Sequence, residues 1–290
     1  MSRDKYELLV LAAVWGGSFI CMRIAVPEFG PSALMFLRVG LAALVVVPFV
    51  ALRGSNLMLI LRHWRPMLLV GAFNMALPFL SYAYAGETLN AGFLAVANAS
   101  TPICAAIVGR LWLKDKLSPM RILGLIVSMV GILVLVWDKL DFSSGGTGLA
   151  TLAAVAPSLL YGIGTNATKR YLTGMDPLVT TAGNMVMASL ILLPLAIWNW
   201  PTQPVSIGSW SATLVLALVC TGAAYALFFR LVATVGPTGA TSVTFLVPVF
   251  GMVWGLLLLG EPITARVLGG AAIILAGTAL VMGLIGSKRA

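Results

Sequence analysis

Charge is scarce in this sequence. Acidic and basic residues make up 9% of its 290 positions, whereas a soluble domain carries about 25%. Hydrophobic residues reach 60%, and the mean hydropathy is +1.02. A water-soluble chain of this length could not bury so much apolar surface, so lipid must be its solvent. Titratable chemistry is equally sparse. The single histidine, His63, sits in a basic connector. The acids Asp4, Glu7, Glu28, Glu87, Asp115, Asp138, Asp141, Asp176 and Glu261 all fall at helix ends or in connectors. An enzyme working inside the membrane would need acids or bases within it. Walker, Rossmann, HExxH and GxSxG signatures are absent too. No enzyme and no cofactor is implied. Cys21, Cys104 and Cys220 lie in apolar runs without CxxC spacing, so neither a disulfide nor a metal site is indicated.

The net charge of +9 does not point to nucleic acid, because the basic residues are scattered between apolar runs. The opening stretch has a basic start like a signal peptide. Its apolar run is too long for one and no A-x-A-like site follows, so it reads as a retained first helix.

A membrane span takes roughly 17–25 mostly apolar residues. The runs predict ten helices near 6–25, 31–52, 66–86, 90–112, 120–137, 148–169, 177–198, 210–230, 238–259 and 266–285. Pro31, Pro66 and Pro177 suit first-turn positions. Of the Lys and Arg residues, fourteen fall on one set of connectors and the termini, and three (Arg23, Lys139, Arg266) on the other. The positive-inside rule then puts both termini in the cytoplasm, as an even helix count also requires.

The sequence also repeats. Positions 146 apart match along the chain without a gap: Trp15-Gly16 with Tyr161-Gly162, Arg23 with Lys169, Pro31 with Pro177, Pro102 with Pro248, Gly124 with Gly270 and Gly131 with Gly277. Residues 1–145 and 146–290 then form two five-helix units. Five is odd, so the second unit enters the membrane from the opposite side: an inverted repeat, as in many secondary transporters. The fold class expected is an all-α integral membrane protein of ten transmembrane helices in two inverted five-helix repeats.

Four stretches carry a family resemblance: "WGGSF" at 15–19, "FLRVGLAAL" at 36–44, residues 100–136 and "LVPVFGMVWGLLLLGEPITARVLGGAAIILAGTALV" at 246–281. They resemble the EamA-type domains of the drug/metabolite transporter superfamily, in both halves. The first half departs from the pattern, with Lys114-Asp115 where the second has Gly260-Glu261. The resemblance implies a ten-helix inner-membrane exporter of amino acids and related metabolites, aromatic amino acids among them. It also implies an Arg as a common feature at position 38.

Polar side chains in lipid-embedded helices are costly unless they face protein or water. On that ground Trp15, Ser18, Asn74, Tyr82, Asn98, Ser100, Tyr161, Asn166, Tyr225 and Thr244 are the candidate substrate-binding residues. Each has a plainer alternative. Hydroxyls in membrane helices bond their own backbone or join helices. Tyr82 suits an interfacial aromatic belt as well as a cavity, and Trp254 suits a lipid-facing position. Arg38, Pro102 and Pro248 are structural or gating candidates. Arg38 is read first as a structural hydrogen-bonding group, with a substrate carboxylate as the alternative. The two prolines, read as mid-helix, either kink the helix statically, act as hinges, or free a carbonyl that contacts substrate. Glu261 is read as a solvent-exposed helix-end residue. The cavity is expected between helices 1, 3, 4, 6, 8 and 9.

The expected function is export of small amphiphilic metabolites, amino acids first, by alternating access in the inner membrane. With no acid or His deep in a span, facilitated diffusion without proton coupling is expected. A lipid flippase or scramblase and an exporter of cationic drugs are the alternatives; the cation would want a buried carboxylate that is missing.

Overall fold

The computed structural model describes residues 3–284, apart from the side chains of Pro237 and Thr238. Lys288, Arg289 and the end of the tenth predicted span lie outside the described residues. Among those residues the fold is all-α with ten principal helices. Helical backbone runs over Arg3–Leu52 with one break, at Gly30 (φ 69°, ψ 162°), which separates α1 (3–29) from α2 (31–52). Then follow α3 (Trp64–Gly86), α4 (Ala91–Trp112), α5 (Pro119–Val136), α6 (Gly148–Tyr171), α7 (Pro177–Trp198), α8 (Ile207–Gly236), α9 (Gly239–Leu259) and α10 (Ala265–Val281). A single helical turn, Met58–Arg62, precedes α3.

Two joints have almost no loop. Gly30 and Gly236 (φ 78°, ψ 166°) each stand immediately before a proline. A proline disfavours the α conformation in the residue before it. Only glycine takes this left-handed, extended backbone cheaply. The Gly-Pro pair therefore turns the chain at a single residue.

Four helices are irregular at mid-length. α4 is two segments, Ala91–Asn98 and Thr101–Trp112, and α9 has a 3₁₀ turn, Ser242–Phe245, before Val247–Leu259. Pro102 and Pro248 are each the second residue of the restarting segment. This corrects the mid-helix expectation: their missing N–H groups fall where no intrahelical partner is due, so they start helices rather than kink them. In α3 and α8, wider π-turns occupy Ala72–Ala76 and Val215–Ala223. Shifting the first by 146 places it within the second.

The helices meet through glycine. A Cβ on Gly124 of α5 would stand 2.7 Å from the Gly277 carbonyl oxygen of α10, and one on Gly277 would stand 2.6 Å from that of Gly124. Only bare backbones approach so closely. The same shift relates two more contacts. A Cβ on Gly16 of α1 would lie 2.8 Å from the Gly251 nitrogen of α9, and one on Gly162 of α6 would lie 3.0 Å from the Ala105 nitrogen of α4. Gly16 and Gly162 are 146 apart, as are Ala105 and Gly251. Large apolar residues such as Leu44, Ile197 and Leu257 are exposed on the outside, as a lipid-facing surface needs.

Candidate functional site: a central cavity

The bundle encloses a cavity of about 890 Å³. It begins near mid-bundle and extends to the end where α6 hands over to α7, at Lys169, Leu172, Met175 and Pro177. A second recess of about 540 Å³, near Gly30, Tyr84 and Asn199, has no charged side chain in its lining.

The helix irregularities sit at the cavity. Asn98 and Thr101 flank the break in α4, Thr241 precedes the 3₁₀ turn in α9 and Thr244 lies within it, and Asn74 and Cys220 lie in the π-turns. Interrupted helices release backbone groups from their ladder, which is tolerable in a membrane only where they are buried in protein or line a cavity.

Eight of the ten candidate binding residues line this space: Trp15, Ser18, Asn74, Tyr82, Asn98, Tyr161, Tyr225 and Thr244. The Tyr82 hydroxyl donates to Asn98 Oδ1 at 3.1 Å, and its ring meets Phe19 edge-on at 5.5 Å. Tyr82 is thus buried, and the interfacial-belt reading is excluded. Asn74 Nδ2 is 3.4 Å from Thr168 Oγ1. Trp15 packs against Phe228 at 5.4 Å and Tyr225 at 6.1 Å, which makes an aromatic wall. Ser18 and Thr244 also bond their own helices, through the carbonyls of Trp15 and Thr241.

Ser100 and Asn166 are not in the cavity wall. Ser100 is fully buried, with its Oγ bonded to the Ala97 carbonyl and to Ser158 Oγ of α6. Asn166 donates to the carbonyls of Ala105 and Gly162. Both join α4 to α6. Trp254 is no free lipid-facing ring either, since its Nε1 donates to the Ala13 carbonyl at 3.0 Å.

The wall also draws on α2 and α7, beyond the six helices expected. Arg38 comes from α2, and Thr180, Thr181 and Asn184 from α7. Arg38 Nε donates to Thr221 Oγ1 at 3.1 Å, and its guanidinium lies 3.7 Å over the Phe79 ring. The apolar members, such as Phe79 and Phe228, carry no sequence signal that separates a cavity wall from an ordinary core.

The far end of the bundle is closed by a polar cluster. Glu261, expected in solvent, has a side chain only 9% exposed. Its Oε1 accepts from Arg23 Nε at 3.1 Å, and its Oε2 from the Ala91 backbone N–H at 2.8 Å. Arg23 also donates to the Gly86 carbonyl at 2.6 Å. The pair thus ties α1 and α9 to the α3–α4 turn. At the opposite end Lys169 pairs with Asp115 at 2.9 Å, with both side chains well exposed. Arg23 and Lys169 are 146 apart, and so are Asp115 and Glu261. Among the described residues, the side chains of Lys169 and Asp115 bond only each other. Outside the spans, Arg266 bonds Asp138 and holds its carboxyl below the ordinary value, while burial raises that of Glu87.

The family model for EamA-like transporters matches residues 6–137 and again residues 148–283. The chain belongs to the EamA-like transporter family. It is therefore a multi-pass membrane transporter, not an enzyme. This EamA-like chain is 26% identical to a chloroplastic WAT1-related protein of Arabidopsis thaliana, over 92% of its own length and 66% of the relative's. It is 23% identical to the uncharacterized transporter YvbV of Bacillus subtilis, covering 97% and 92% of the two chains. An uncharacterized transporter of Archaeoglobus fulgidus is 24% identical, over 90% and 91%. A solved crystal structure shares the fold, with a TM-score of 0.67, 17% identity and 98% of both chains covered.

Proposed function

We propose that this EamA-like transporter exports small amphiphilic metabolites, amino acids with aromatic or bulky apolar side chains first, across the inner membrane by alternating access. The cavity carries the reading. Its volume of about 890 Å³ exceeds that of one amino acid, and it joins an aromatic wall to a rim of amides and hydroxyls. With fourteen cations on one set of connectors and the termini, the positive-inside bias makes the open end cytoplasmic and the Arg23–Glu261 end periplasmic. The conformation is then inward-facing.

The two halves, 1–145 and 146–290, act as inverted repeats in this account. Exchanging their conformations would act on the two ion pairs. Both pairs are present, but only Arg23–Glu261 reaches on to the neighbouring helix turn, through the Gly86 carbonyl and the Ala91 N–H. In the outward-facing state the roles reverse only in part. Arg23–Glu261 lets go of the α3–α4 turn and Lys169 engages a carbonyl of the α8–α9 joint, but Asp115 gains no counterpart of the Ala91 bond, because position 237, 146 beyond Ala91, is a proline without an N–H. Movement needs no coupled proton, because a zwitterion carries no net charge and the cavity wall offers no carboxylate or His among the described residues. Export follows the higher cytoplasmic pool.

Purified protein in liposomes decides between this reading and a lipid flippase. Flux of radiolabelled amino acids without movement of a fluorescent lipid supports it. Lipid movement without amino-acid flux overturns it.

A further inference from the structure

Resting on the transport reading above, the structure assigns Arg38 and its repeat mate Asn184 as the two poles of a zwitterion site, Arg38 taking a substrate carboxylate and Asn184 Oδ1 the ammonium group.

Arg38 stands on α2 and Asn184 on α7, 146 positions apart, and both line the cavity at 6% exposure. A guanidinium has five N–H donors in a fixed fork. Arg38 spends Nε on Thr221 Oγ1 and directs one terminal nitrogen at the Met22 sulfur, 3.7 Å away, a weak acceptor. Phe79 covers one face of the group. Among the described residues no carboxylate pairs with it. The five ion pairs found there engage Arg3, Arg23, Lys169, Arg230 and Arg266. A purely structural arginine, enclosed this far from water, would be expected to have a counter-ion or a full set of carbonyl acceptors. Arg38 has neither, and the donors left over are those that a carboxylate takes two at a time.

Asn184 supplies the complementary defect. Its Oδ1 is buried and has no hydrogen-bond partner among the described residues. Buried polar atoms are rarely left so, and an orphan acceptor in a cavity wall suits a cationic N–H donor. A free amino acid carries both charges on one carbon. Its side chain would then face the aromatic wall of Trp15, Tyr225 and Phe228. The inverted repeat makes this possible: one structural position, read twice, gives a cationic residue in one half and a neutral acceptor in the other.

The test is ligand binding in detergent, followed by tryptophan fluorescence, with three probes: phenylalanine, phenethylamine (no carboxylate) and 3-phenylpropionate (no ammonium). The wild-type protein is expected to bind phenylalanine tightest. Arg38→Gln is expected to weaken phenylalanine and 3-phenylpropionate by at least about tenfold, the scale of losing a buried charge partner, and to leave phenethylamine unchanged. Arg38→Lys, which keeps the charge without the fork, should fall between. Asn184→Ala is expected to weaken phenylalanine but not 3-phenylpropionate. A merely structural loss would weaken all three probes together, and that result overturns the assignment. Equal wild-type binding of all three overturns the two-pole site and leaves the transport reading standing. No binding of any probe overturns both.

Discussion

Replacing Glu261 by Ala tests the closure that the proposed orientation puts at the periplasmic end. Because the Arg23–Glu261 pair is retained in both states of the account, its own energy cancels. What differs is the bond from Glu261 Oε2 to the Ala91 N–H, 2.8 Å long and present only when the periplasmic end is shut. A hydrogen bond to a charged group contributes about 1.5–3 kcal/mol. Taking about 2 kcal/mol, the population facing outward should rise roughly 30-fold. The assay uses a background in which Cys21, Cys104 and Cys220 are replaced and Thr244, in the cavity wall, becomes Cys. The rate of labelling by a membrane-impermeant maleimide from the periplasmic side reports the outward population. Glu261→Ala should raise that rate by about an order of magnitude or more. Asp115→Ala, at the mate position, should leave it nearly unchanged, because Pro237 stands where the second half would need the N–H of Ala91. An unchanged rate in Glu261→Ala, or an equal rise in both variants, would refute the reasoning.

Three other outcomes follow from the structure. Tyr82→Ala and Asn98→Ala each break the 3.1 Å bond between these side chains in the cavity wall; both should lower transport several-fold, a bond of about 1 kcal/mol, while membrane insertion and chromatographic behaviour persist. Cysteines at Lys139 and Gln203 should react with an impermeant reagent from the periplasm, and one at Arg62 should not; the reverse pattern would invert the orientation. Gly277→Ala should lower the melting temperature in detergent, since its Cβ would meet the Gly124 oxygen at 2.6 Å, an overpacking cost of about 1–3 kcal/mol. Gly269→Ala, with open space around the new methyl, should hold or raise it.

Much of this fold was legible in the chain, for physical reasons. Span length is set by lipid thickness, so apolar runs locate helices directly. Glycines 124, 131, 270 and 277, spaced by seven, announce a helix face bare enough for backbone contact, and α5 and α10 do meet there. Interruptions were harder to read. Pro102 and Pro248 were visible, but a proline in an apolar run looks the same whether it kinks a helix or restarts one. The π-turns of α3 and α8 carry no residue signature. Polar candidates were separable from lipid-facing positions but not from each other. Asn166 and Asn74 look alike in sequence, yet one joins α4 to α6 and the other faces the cavity. Glu261 was misplaced for a related reason. A helix-end acid is normally hydrated, and nothing local shows that Arg23 and the Ala91 N–H, both far away in the chain, converge on it.

The central claim is that one cavity is exposed to each side of the membrane in turn, without a coupled ion. Counterflow tests it most directly. Proteoliposomes are loaded with a high concentration of unlabelled phenylalanine, and uptake of a trace of labelled phenylalanine is followed over time. The account predicts a transient overshoot of label that decays to equilibrium, and the same time course whichever way a pH gradient is imposed. Label that rises to equilibrium with no overshoot would mean a channel, and sustained accumulation that follows the pH gradient would mean a proton-coupled pump; either contradicts the account.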